Sequence, residues 1–128
     1  MKRRENIGIK VLSDISKINS APNTQSLGFS LGPRINAGGR IGNSELGVNL
    51  LKEIDESKAV EKAIKLDELN KKRRFLTAEL ESKAIGLIEK IKNNNDNRVP
   101  NAIVVNGIDF HQGITCLLYT SDAADEGF

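Results

Sequence analysis

From Asp55 to about Asn93 apolar residues recur every three or four positions, with no proline and one internal glycine, Gly86. That spacing gathers them on one face of an α-helix. It predicts a single uninterrupted helix of roughly 38 residues, about 57 Å long at 1.5 Å per residue. One stripe runs Ala59, Ala63, Leu66, Asn70, Arg73, Thr77, Leu80, Ala84, Leu87, Ile91. Its ends are apolar and its middle is polar, whereas a coiled-coil seam stays apolar throughout. The pattern fits a bridge whose two ends dock on different bodies. Asp55 stands where an N-cap belongs.

The flanks are less regular. Ile7, Val11, Leu12, Ile15 and Ile18 predict a weaker helix over residues 5–19, and residues 19–25 are turn-rich. Leu27–Leu31 reads as a short strand. Pro33, Gly38, Gly39 and Gly42 then predict an irregular stretch. Asn43 or Ser44 can cap a further helix carrying Leu46, Leu50, Leu51 and Ile54. Beyond the long helix, "NNNDNRVP" (93–100) is a polar hinge. "AIVV" (102–105) is short, continuous and partly β-branched, as a buried strand is. The expected fold class is an α/β fragment, mainly helical.

Composition narrows the chemistry. The chain has 128 residues, 38% hydrophobic and 28% charged, with no tryptophan. Its formal net charge of +2 is unevenly spread: residues 1–54 carry a net +4, 55–98 a net +2 and 99–128 a net −4. Positive charge near the N-terminal half favours an anionic partner, although solvated surfaces show the same pattern. Lys71-Lys72-Arg73-Arg74 admits the same two readings: a solvated helix face, or contact with an anionic polymer. One cysteine, Cys116, excludes an internal disulfide. No apolar run approaches the roughly 20 residues of a membrane helix. The residues after Met1 are not those of a secretory signal, so the expected location is cytoplasmic. One histidine and one cysteine cannot by themselves close a zinc site of Cys and His ligands. No GxSxG nucleophile elbow is present.

The densest chemistry lies in "LGPRINAGGR", Leu31–Arg40. Glycines let a backbone approach a ligand closely, and arginine presents a planar fork that matches phosphate. A helix starting near Asn43 would aim its free N–H groups at the same place. The alternative is that Arg34 and Arg40 pin the segment through carbonyls or a carboxylate. The stretch is neither a Walker A loop, since no GK[ST] occurs, nor a full GxGxxG, since the first glycine is missing.

"LGPRINAGGRIGNSELGVNLL" (31–51) closely resembles the GPR-x-NA-x-GR signature of the RecJ family, the bacterial single-strand-specific DNA exonucleases among the DHH phosphoesterases. "LDELNKKRR" (66–74) and "AIVVNGIDFHQGI" (102–114) resemble two further family segments, in the same order and spacing. The resemblance covers roughly residues 3 to 114. It implies the C-terminal part of a DHH catalytic domain at 1–54, a long linking helix at 55–93, and the start of a DHH-associated α/β domain at 94–114. It implies a 5′-to-3′ exonuclease in which manganese or magnesium ions activate water, with single-stranded DNA and the remainder of the same polypeptide as partners. By position in the motif, Arg34, Asn36 and Arg40 are the expected phosphate-binding group, with Arg34 or Arg40 on the phosphate and Asn36 holding the loop. Gly32, Gly38 and Gly39 are its expected loop-forming residues. His111 falls on an H-x-G turn, where a helix-capping role is favoured over a catalytic one.

The family's Asp-His-His motif is absent, so this stretch alone is expected to be inactive, with no metal site of its own. Residues 115–128 depart from the family. "LLYTSDAADE" within them looks like translated sequencing-adapter read-through, which makes a non-native tail the expectation. The other functions weighed are a non-catalytic helical interaction module and a DHH-type phosphodiesterase acting on short oligonucleotides.

Overall fold

The structure is a computed structural model that describes residues 6–94, 104–107 and 109–117. Six helices account for most of it, and no strand occurs among the described residues. The chain divides into two compact units, Met1–Arg73 and Arg74–Phe128, and the division falls inside the longest helix.

In the first unit, helix α1 spans Ile7–Ile15. Asn6 caps it: Oδ1 accepts from Ile9 N at 3.0 Å, while Nδ2 donates to the Leu51 carbonyl at 2.8 Å. The helix ends short of the expected residue 19, because Lys17 takes a left-handed φ of 59°. Ile18 N then reaches back to the Ser13 carbonyl at 2.9 Å, a closing bond typical of such ends. A second helical run follows, made of α2 at Thr24–Ser26, a wide π-turn at Leu27–Leu31 and α3 at Gly32–Ile41.

Helix α4 covers Glu45–Leu51. Its entry is held by Asn43, whose Oδ1 accepts from Glu45 N at 2.9 Å. Ser44 makes no side-chain cap bond there. Helix α5 covers Glu56–Asn94, matching the helix expected from Asp55 to about Asn93. Asp55 caps it as read: its Oδ1 accepts from Lys58 N at 3.0 Å.

Val11, Leu12, Leu31, Leu50, Ala59, Ala63 and Leu66 form the core of this unit, bordered by isoleucines of α1 and by Ile35 and Leu46. Helix α5 contributes the start of its predicted stripe, since Ala59, Ala63 and Leu66 are fully buried. Two small residues there let the neighbouring helices come close.

In the second unit, the α5 stripe resumes with Leu80, which is buried, as is Ile114. Ile114 belongs to a short helix, α6, over residues 112–117. The strand expected at 102–105 lies partly outside the described residues, and Val104 and Val105 have no regular structure. Residues 118–128 of the expected non-native tail also lie outside them.

Candidate nucleic-acid interface

The signature segment is helical, which corrects the expectation of a strand followed by a glycine-rich loop. Proline inside a helix removes one donor and presses its ring on the carbonyl four residues back. In the sequence Pro33 therefore signals a break. The chain instead widens for one turn: Gly32 N bonds to the Leu27 carbonyl, five residues back. Pro33 then sits in the first turn of α3, where a missing N–H costs little. The widening lets one helical run pass through the proline, at Leu27–Leu31 where a strand was expected.

The glycines serve packing within this helix instead of forming a loop. A Cβ on Gly32 would stand 2.8 Å from the Leu27 carbonyl oxygen of the π-turn. One on Gly38 would stand 2.6 Å from the Asn43 carbonyl oxygen, where the chain turns back toward α4. Gly39 has more room, with Ser44 Cβ at 3.8 Å.

Arg34 faces inward along α5. Its Nε donates to Asp67 Oδ1 at 2.8 Å and its Nη1 to the Ser30 carbonyl at 2.7 Å. These contacts are those of the alternative read beside the phosphate role: the guanidinium pins the segment through a carbonyl and a carboxylate. The reason is local. Arg34 lies one turn after Ser30, and a buried carboxylate stands opposite on α5. Arg40 occupies the last turn of α3 and is half-buried. Asn36 is exposed on α3 and holds no loop, because the segment is a helix.

Asp67 and Asn70 are the functional candidates that pattern reading passed over. Both are buried polar residues on α5. Asp67 also accepts from Lys71 Nζ, through Oδ2 at 2.8 Å. Burial disfavours its charge, but hydrogen bonds from Lys71 and Arg34 and the charges of both outweigh that, holding the carboxyl below its ordinary 3.8. Asn70 Oδ1 accepts a long bond of 3.3 Å from Arg73 Nε. The available signal was the "LDELNKKRR" segment itself, where polar residues interrupt a buried stripe. Of the basic run, Lys71, Lys72 and Arg74 are exposed and Arg73 is half-buried.

In the second unit His111 caps α6, as favoured from the sequence. Its Nδ1 accepts from Gly113 N at 3.1 Å, and its carbonyl accepts from Ile114 N and Thr115 N. Lys83 pairs with Glu79 at 2.8 Å and lies 3.9 Å from Asp109. Among the described residues no three His, Cys, Asp or Glu side chains gather as metal ligands would. No described helix is long and apolar enough to cross a membrane.

Comparison with known proteins decides the family. Over 109 residues, 84% of its length, the chain is 37% identical to the single-stranded-DNA-specific exonuclease RecJ of Haemophilus influenzae. The chain belongs to the RecJ family. The RecJ of Dickeya dadantii is 36% identical over 112 residues, and that of Bacillus subtilis is 36% identical over 92 residues. The chain spans 19% of the length of the first two RecJ proteins and 12% of the third. No family model matches it. At that length the RecJ likeness extends into both units.

Proposed function

We propose that this chain is a segment of a single-strand-specific DNA exonuclease that degrades strands from the 5′ end. The supporting observation is the RecJ likeness over more than four-fifths of the chain. Helix α5 acts in this reading as the link between a catalytic DHH domain and a DHH-associated domain. The polar centre of its stripe, where the two units divide, supports that role.

Arg40 is the proposed phosphate contact, by its place in the GPR-x-NA-x-GR signature and at the half-exposed end of α3. The manganese or magnesium ions that the resemblance implies find no fitting ligand set among the described residues. They belong in this reading to other parts of the nuclease, and no step is assigned to them here.

The full-length nuclease carrying this segment is expected to digest a 5′-labelled single strand and to spare the same sequence as duplex. Equal digestion of both, or of neither, overturns the reading. Arg40→Ala is expected to weaken single-strand binding at all sequences alike. It should lower the slope of log affinity against log salt by about 0.7, the effect of one lost phosphate contact on a single strand.

A further inference from the structure

Asp67 joins two helices through one carboxylate, and Arg34 carries the link on to the π-turn. The helix of Asp67 is α5. Arg34, reached at 2.8 Å, belongs to the signature helix α3, and through Nη1 the same guanidinium holds the Ser30 carbonyl of the π-turn at 2.7 Å. Lys71, one turn along α5, takes the second carboxylate oxygen at 2.8 Å. The Arg34 and Asp67 side chains are only 20% and 10% exposed. A guanidinium is planar and its donors have fixed directions. Holding Nε on one element and Nη1 on another fixes both the plane and the rotamer. A lysine at position 34 has one point charge and cannot reproduce both directions.

The pair is a fastening between helices more than a contribution to net stability. A half-buried ion pair gains little over well-packed apolar residues, while losing one partner strands the other charge. What the pair supplies is register: it sets where α3 lies along α5.

We infer that Asp67 is a positioning residue, which through Arg34 seats the signature helix on α5 and so places the far end of that helix, with Arg40, against the DNA strand. The inference rests on the nuclease reading above. It assigns Asp67 no contact with substrate or reacting atoms.

The test uses the full-length nuclease with Asp67→Ala, Arg34→Ala, Arg34→Lys and the double alanine variant. Activity on single-stranded DNA is assayed well below each variant's unfolding temperature. Each alanine variant is expected to raise KM about tenfold, the size of one lost charged hydrogen bond, because a misplaced Arg40 loses its strand contact, and to change kcat less than about threefold. The double variant should raise KM no more than the worse single, because the two residues act as one unit. Arg34→Lys should resemble Arg34→Ala. Losses that multiply in the double variant, full rescue by lysine, or normal KM in folded alanine variants would overturn the inference. A wild-type enzyme without single-strand activity would instead sink the nuclease reading. In that event the coupling of the pair in thermal unfolding decides the fastening: non-additive shifts sustain it and additive shifts remove it.

Discussion

Lys17 holds a backbone conformation that suits its neighbours better than itself. A side chain in the left-handed region costs roughly 1–2 kcal/mol, a cost glycine avoids. Lys17→Gly is therefore expected to raise stability by about 1 kcal/mol in urea unfolding. An unchanged midpoint would show that the end of α1 relaxes. Leu66 is fully buried in the core, and Leu66→Ala should cost about 2–5 kcal/mol, read the same way.

Glu53 gives the clearest pH signature. Lys62 donates to its Oε2, and Asp55 N and Ile54 N bond its Oε1. The Lys62 bond first, then the Asp55 bond, draw its pKa from 4.5 to about 2. The folded chain therefore binds fewer protons than the unfolded one between those values, and stability rises with pH there. Its contribution is complete above 4.5 and fades as pH falls toward 2. Glu53→Gln should lower the melting temperature at neutral pH and flatten that acid decline. A variant that keeps the full decline would assign it to other carboxylates, such as Asp67. None of this was legible in the sequence, because the partners of Glu53 depend on how α4 turns into α5.

At the scale of elements, the long helix was legible and the signature helix was not. The stripe on α5 was read with Ala59, Ala63, Leu66 and Leu80 correctly inward, because a strong period leaves little choice of face. Asn70 was read on that stripe, and it too is buried. The signature segment misled because proline and glycine are local cues for a break, and a wide turn satisfies the same cues without one. Gly86 offers a test of α5. A Cβ there meets nothing within 4 Å, so Gly86→Ala should add about 0.5–1 kcal/mol through helix propensity alone. A loss instead would place an unseen neighbour against that face.

At the scale of the molecule, the division between the two units, at Arg73 and Arg74, falls in the polar interruption of the stripe. The candidate site was legible only as a location. The sequence pointed to Arg34, yet the direction of its guanidinium depends on a carboxylate 33 positions away. The π-turn carries one more consequence. A wide turn holds one extra residue, and each residue turns a helix by about 100°. The wide turn at Leu27–Leu31 absorbs that residue, so the helix beyond it keeps the facing it would have without it. One further residue inserted among these five would have no wider turn to absorb it and would swing Arg34 away from Asp67 although neither had been altered, so a one-codon insertion there should be as damaging as losing the arginine outright.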